Sequence, residues 1–168
     1  MRTRYLRYLL AAFVLILVQK VFVSLISIER ISPDVLLIFV VYLALREGQI
    51  VSTSAGFLLG LAMDIMSGEL LGLAALSKTV SGFIAGYFYN KEKSIETPGT
   101  YLFIVIILLS SLVHNVIYFT VYIQGTEIDF WMSLLRYGLW TSLYTSIVGL
   151  IPMLISRRYF RTKRSTLE

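Results

Sequence analysis

One stretch of the chain, residues 100–123, contains no aspartate, glutamate, lysine or arginine. Because a helix rises 1.5 Å per residue, about 20 apolar residues are enough to cross the hydrocarbon core of a bilayer. Residues 6–28 and 131–156 form two more long apolar runs with few charges. Apolar runs of this length are not typical of soluble domains, and they predict an all-α membrane protein.

The composition supports this prediction and excludes several kinds of site. Of the 168 residues, 57% are hydrophobic and 15% are charged, whereas soluble domains carry about 25% charged residues. The absence of cysteine excludes disulfides and thiolate chemistry, and a single histidine excludes a multi-histidine metal site. We therefore expect no metal and no cofactor. Most of the net charge of +5 lies at the two termini, which indicates a membrane protein rather than a nucleic-acid-binding one.

Six transmembrane helices in one compact bundle are predicted, at about residues 6–28, 33–46, 50–66, 70–89, 100–123 and 131–156, with a basic cytoplasmic tail at 157–168. The second helix is short, since it would span only about 21 Å of a core roughly 30 Å thick. It must therefore borrow residues from its flanks, thin the bilayer or pack inside the protein. The basic start and apolar centre of the first helix also fit a signal peptide, but no small-x-small cleavage site follows.

The lysine and arginine residues outside the spans predict the orientation. Only Arg30 falls on the side opposite the termini. The terminal side receives Arg2, Arg4, Arg7, Arg46, Lys91, Lys93, Arg157, Arg158, Arg161, Lys163 and Arg164. By the positive-inside rule, both termini are expected to be cytoplasmic in a multi-pass protein of the bacterial inner membrane.

From residue 56 to residue 72, across the third predicted helix, the turn and the start of the fourth, every fourth residue is glycine or aspartate. The series is Gly56, Gly60, Asp64, Gly68 and Gly72, and Gly82 and Gly86 form a second pair. In a helix this spacing places the glycines on one face, where another backbone can come close. The glycines therefore predict a packing surface.

Asp64 and Lys78 are among the ionisable residues that lie within predicted spans. A carboxylate in that position must be paired, protonated or close to the outer interface. Lys78 could pair with Asp64 across the turn, and such a pair would more often be structural than catalytic. The competing interpretation is that Asp64 lies at a helix end and is half solvated. The sequence does not decide between them.

Two enzymatic interpretations receive little support. An intramembrane aspartyl protease needs two acids that share one site, and Asp64 has no second acid at comparable depth. A serine hydrolase could use Ser110 or Ser111 near His114 on one helical face, but no nucleophile motif accompanies them. A lone histidine beside Asn115 is more often an interhelical hydrogen-bonding residue. We therefore expect a protein that is not an enzyme.

A transporter subunit is the alternative function. Six helices can enclose a cavity, and short helices interrupted by glycine are typical of transport proteins. However, the sequence shows neither an inverted repeat nor a Walker-type nucleotide-binding loop. If this chain moves a solute, another subunit must supply the energy.

From residue 33 to residue 86 the sequence resembles the MreD family of bacterial rod shape-determining membrane proteins. The resemblance begins with Pro33-Asp34 at the start of an apolar helix, followed by Arg46 and Gly48. It continues with Gly56-Phe57, Gly60-Leu61, Asp64, Ser67-Gly68, Leu71-Gly72, Leu76-Ser77-Lys78 and Gly82. Length, helix count and basic termini extend the resemblance over the whole chain.

The resemblance implies a non-enzymatic membrane scaffold of the cell-elongation machinery, needed for rod shape and lateral peptidoglycan synthesis. The implied partners are the single-pass protein MreC and, through it, the actin-like MreB, the RodA glycosyltransferase and its penicillin-binding transpeptidase. Membrane lipid and a second copy of the chain are further candidate partners. The family is also similar in fold to the substrate-binding S components of energy-coupling-factor vitamin transporters, which keeps the transporter alternative open.

We hypothesise that helices 2 to 4 form a groove for a partner's transmembrane helix, with Asp34, Asp64 and Lys78 fixing its geometry. The candidate structural or partner-binding residues are Pro33, Asp34, Arg46, Gly48, Gly56, Gly60, Asp64, Gly68, Gly72, Ser77, Lys78 and Gly82.

Overall fold

The computed structural model describes residues 2–25, 31–68, 70–124 and 129–165, with side chains for 3–21, 31–68, 70–124 and 129–158. These parts of the chain are helical and contain no β-sheet, as predicted. The helices are α1 (Arg2–Leu25), α2 (Val35–Glu47), α3 (Gln49–Ser67), α4 (Leu73–Gly86), α5 (Tyr101–Tyr122), α6 (Phe130–Ser133), α7 (Leu139–Val148) and α8 (Leu150–Ser165). A short 3₁₀ helix, Thr97–Gly99, precedes α5, and a π-helical turn, Leu134–Gly138, joins α6 to α7.

Some predicted boundaries differ from the observed ones. Helix α4 starts at Leu73 rather than near residue 70, because Gly72 has a left-handed backbone with φ of 96°. The last helix continues to Ser165, so much of the predicted tail at 157–168 is helical. Residues 26–28 of the predicted first helix lie outside the described residues.

Among the described residues, three helical stretches are long and apolar enough to cross a membrane, namely Gln49–Ser67, Tyr101–Tyr122 and the continuous stretch Phe130–Arg158. Helix α4 is apolar but shorter. The apolar surfaces of these helices are typical of a protein that lies within lipid. Six membrane crossings therefore remain a prediction that goes beyond these three.

Helix α2 is the buried centre of the molecule. Its 13 residues extend for about 20 Å, and Leu36, Leu37, Val40 and Val41 have no exposed surface. One face packs against a cluster from α5 and α8 that includes Phe103, while the other faces α1 and α3. Of the three expected solutions for a short second helix, packing inside the protein is the one observed.

Helices α3 and α4 pack closely because glycines face the neighbouring backbone. A Cβ on Gly56 would lie 2.5 Å from the carbonyl oxygen of Lys78, and one on Gly60 would lie 2.5 Å from that of Ala74. A Cβ on Gly82 would lie 2.8 Å from the carbonyl oxygen of Ser52. The predicted packing surface therefore exists.

The expectation that a partner's helix enters this surface must be corrected. Gly56 and Gly60 are covered by α4, and Gly82 is covered by α3 and by Val40 of α2. The hydroxyl of Ser52 also donates a hydrogen bond of 2.9 Å to the carbonyl of Gly82. The close approach that the glycines permit is therefore used between helices of this chain.

The π-helical turn is held by a buried side chain of α5. Asn115 donates hydrogen bonds from Nδ2 to the carbonyl oxygen of Gly138, at 3.1 Å, and to Ser142 Oγ, at 3.0 Å. Ser142 Oγ donates to the same carbonyl at 2.8 Å. A π-helical turn changes the regular backbone pairing of a helix, and here buried side chains bond the Gly138 carbonyl.

Candidate functional site

The start of α2 places a carboxylate inside the protein. Asp34 is the N-cap of this helix, and its Oδ1 accepts a hydrogen bond of 2.8 Å from the N–H of Leu37. Aspartate is a favoured N-cap because its carboxylate pairs an N–H that the helix leaves unsatisfied. Pro33 is fully buried but precedes the cap. The helix therefore begins at Val35, whereas the predicted second helix began at Pro33.

The other oxygen of this carboxylate forms a buried ion pair. Asp34 Oδ2 contacts the ammonium group of Lys78, and it also lies 3.7 Å from Nε2 of His114. The side chain of Lys78 is 5% exposed and that of Asp34 is 13% exposed. The predicted Lys78–Asp64 pair is therefore wrong, because the amine points from α4 towards α2, where Asp34 is the acid within reach.

Polar groups from two further helices complete the cluster. The N–H of Asp34 donates to Thr145 Oγ1 at 3.0 Å, and the N–H of Val35 donates to Gln19 Oε1 at 2.8 Å. Gln19 also donates from Nε2 to the carbonyl of Pro33 at 3.0 Å. Side chains from α1, α4, α5 and α7 thus meet at the start of α2. We call this set, Gln19, Asp34, Lys78, His114 and Thr145, the Asp34 cluster.

Three members of the Asp34 cluster were missing from the predicted site. Gln19 is a polar residue inside an apolar run, and this position in the sequence could have indicated it as a site residue. His114 was expected to bond between helices, and the structure places its Nε2 beside a carboxylate of another helix while Nδ1 is buried without an ordinary hydrogen bond. Thr145 gave no signal, because a single threonine in an apolar helix is common.

The serines considered as nucleophiles do not form a catalytic pair with His114. Ser110 and Ser111 are buried, and neither Oγ has a hydrogen-bond partner among the described residues. A serine nucleophile is activated by a base within hydrogen-bonding distance, and this contact does not occur here.

Asp64 belongs to α3, but its buried carboxylate caps the N-terminus of α4. This residue is 2% exposed, and Oδ2 accepts hydrogen bonds from the N–H groups of Gly72, at 3.0 Å, and Ala75, at 3.1 Å. Oδ1 accepts from Ala74 at 3.0 Å. A negative charge at a helix N-terminus is favourable because the helix dipole is positive there. The half-solvated alternative for Asp64 is therefore wrong.

The turn between α3 and α4 needs glycine for its backbone and not for packing. Gly68 and Gly72 have φ of 67° and 96°, and a Cβ on either would meet no atom within 4 Å. Left-handed φ values favour glycine because it has no Cβ. These two glycines therefore shape the loop that brings Asp64 to the start of α4.

The remaining predicted residues, Ser77, Gly48 and Arg46, are not members of the Asp34 cluster. Ser77 is buried and donates to the carbonyl of Leu73 in its own helix at 2.7 Å. Gly48 ends α2 with φ of 92°, beside the ring of Tyr89. Arg46 lies with its guanidinium 5.9 Å from the ring centroid of Tyr42.

Comparison with known proteins agrees with the resemblance found in the sequence. A family model described as rod shape-determining protein MreD matches residues 1–163. No curated protein and no solved structure matches the chain, so similarity to the S components and the transporter alternative gain no support. The matched family determines cell shape and is not known as an enzyme family. With this match across nearly its whole length, and with its apolar helices, the chain belongs to the MreD family of rod shape-determining membrane proteins.

Proposed function

We propose that this chain is a non-enzymatic scaffold of the cell-elongation machinery in the bacterial inner membrane. In this proposal it binds MreC directly, and through MreC it is linked to MreB, RodA and the penicillin-binding transpeptidase. The complex directs lateral peptidoglycan synthesis and so maintains a rod shape. The observation that carries the proposal is the MreD family match over residues 1–163.

The contacts within the Asp34 cluster support a structural role. Asp34 uses one oxygen to cap α2 and the other to pair with Lys78, while its N–H is bonded to Thr145. Polar contacts between helices contribute to association in lipid, where the hydrophobic effect does not drive one helix against another. The cluster thus holds α2 against its neighbours and gives partners a fixed surface.

The partner surface is proposed to lie on the outer faces of the bundle, because the glycine-lined face is filled by this chain. Large apolar side chains are exposed there on several helices, among them Phe13 of α1, Phe57 of α3 and Trp140 of α7. In a bilayer these faces contact either lipid or another transmembrane helix, since both are apolar.

The proposed topology has six crossings with both termini in the cytoplasm. Three of these crossings are the long apolar stretches, and the other three are α1, the buried α2 and α4. The distribution of lysine and arginine supports this orientation by the positive-inside rule.

Depletion in the native rod-shaped host tests the shape function. Rounded cells with dispersed wall insertion, rescued by the wild-type chain, are expected. The Asp34→Ala variant should rescue poorly because it removes both the cap and the ion pair, whereas Glu92→Gln in the exposed loop should rescue fully. Normal rods after depletion would overturn the proposal.

Photo-crosslinking tests direct binding to MreC. A photoreactive amino acid is placed singly at Phe13, Phe57 or Trp140, and at the fully buried Phe103 as the control. At least one exposed position should give a covalent adduct with MreC, and Phe103 should give none. Absence of adducts together with absence of MreC in native co-purification would refute direct binding.

A further inference from the structure

The end of α2 carries an arginine whose hydrogen-bonding capacity is not used within the described residues. Arg46 is partly buried and its guanidinium lies against Tyr42, with 5.9 Å to the ring centroid. Its Nε atom is buried and has no hydrogen-bond partner in the part of the chain that the structure describes. A buried N–H of a charged group is costly to leave unpaired. An acceptor outside the described residues would satisfy this group.

The nearest acid in sequence is already engaged. Glu47 pairs with the guanidinium of Arg4 and accepts a hydrogen bond of 2.6 Å from the hydroxyl of Tyr8. Arg46 takes part in none of the described ion pairs. A positive charge therefore remains at this end of the bundle, beside an aromatic ring.

The neighbouring elements place another arginine at the same end of the molecule. The Thr97–Gly99 segment contacts both α2 and α8. A Cβ on Gly99 would lie 3.2 Å from the backbone nitrogen of Arg157, and the Arg157 guanidinium lies 6.0 Å from the ring centroid of Tyr101. Arginines that rest on aromatic rings near a bilayer surface are suited to a lipid phosphate, which accepts several hydrogen bonds.

We propose that the α2 end of the bundle binds the phosphate of an anionic phospholipid from the cytoplasmic leaflet, with Arg46 as its principal contact. The guanidinium donates to the phosphate oxygens, the ring of Tyr42 positions the guanidinium, and the acyl chains lie along the exposed apolar helices. The choice of leaflet rests on the proposed orientation. Phosphate binding by Arg46 itself does not depend on the shape function.

The test measures lipid binding by the purified full chain in detergent. Native mass spectrometry follows titration with phosphatidylglycerol or with phosphatidylcholine for the wild type, Arg46→Gln, Arg46→Lys and Arg136→Gln. Arg136 is an exposed arginine in the π-helical turn between α6 and α7, and its guanidinium also lies near a ring, 5.8 Å from the centroid of Tyr137. It is therefore a matched control for an arginine beside an aromatic ring, and it differs from Arg46 in having no buried, unpaired Nε atom among the described residues.

The wild type should bind phosphatidylglycerol more tightly than phosphatidylcholine. Arg46→Gln should weaken phosphatidylglycerol binding about fivefold, the equivalent of about 1 kcal/mol for one basic residue near the surface. Arg46→Lys should recover part of the loss, because the charge returns without Nε. Arg136→Gln should match the wild type.

Equal binding of both lipids, or equal losses for Arg46→Gln and Arg136→Gln, would overturn the proposal. Inorganic phosphate that competes with phosphatidylglycerol at equal concentration would also overturn it, because the ligand would then be a free anion. Failure of the scaffold function instead appears as normal rods after depletion, which this binding assay does not measure.

Discussion

The ion pair between Asp34 and Lys78 should be the most sensitive polar contact in the molecule. We consider three variants: Lys78→Met, Asp34→Asn and the double variant that combines them. Both side chains are almost fully buried, so each single variant leaves one charge without its partner. Removing one member of a buried ion pair costs about 3 to 5 kcal/mol of stability.

The two single variants should not be equally unstable. In Lys78→Met, the carboxylate of Asp34 keeps the N–H of Leu37 and has His114 Nε2 at 3.7 Å, so the lower end of that range is expected. In Asp34→Asn, the ammonium of Lys78 loses the only hydrogen bond described for it, so the upper end is expected. The double variant buries no charge and keeps an asparagine cap, and it should lie within about 2 kcal/mol of the wild type.

The assay is thermal unfolding of the purified chain in detergent, followed by size-exclusion chromatography with fluorescence detection. For a chain of this length, about 2 to 4 °C of midpoint shift corresponds to 1 kcal/mol. The single variants should therefore unfold about 6 to 20 °C below the wild type, and the double variant should recover most of this loss. Lys91→Met, at an exposed lysine in the loop, is the control and should not shift the midpoint.

Two results would refute this reasoning. One is a pair of single variants as stable as the Lys91→Met control. The other is a double variant whose loss of stability equals the sum of the two single losses. Additive losses would show that Asp34 and Lys78 do not stabilise the protein as a pair.

The same assay checks three further predictions. Asp64→Asn should lose about 1 to 3 kcal/mol, because an amide has one acceptor oxygen where the carboxylate has two that cap α4. Gly60→Ala should lose about 1 to 3 kcal/mol by forcing α3 and α4 apart, whereas Gly68→Ala should lose about 1 kcal/mol through its left-handed backbone alone. Asn115→Leu should lose about 1 kcal/mol, since Ser142 still donates to the Gly138 carbonyl.

Each of these predictions has a contradicting result. An Asp64→Asn variant as stable as Glu92→Gln, at an exposed acid, would show that the cap is not important. A Gly60→Ala variant that unfolds at the wild-type temperature would show that the helices separate at little cost. Loss of several kcal/mol in Asn115→Leu would mean that Ser142 cannot hold the π-helical turn alone.

Segment-level properties of this chain were predictable from its sequence. Long apolar runs predict membrane helices because the transfer of a segment into lipid depends on its own composition. The glycine spacing predicts close packing because residues four apart share a helical face. The order of motifs from Pro33 to Gly82 indicated the MreD family, and the match over residues 1–163 confirmed it.

Which helix fills the glycine face, and which acid pairs with Lys78, were decided only by the tertiary structure. Asp34 and Lys78 are 44 positions apart, and their contact depends on how α2 is enclosed by its neighbours. Asp64 is closer to Lys78 in sequence, but its oxygens are used by the start of α4. Periodicity along one helix shows which residues share a face, whereas the partner across that face depends on the arrangement of all the helices.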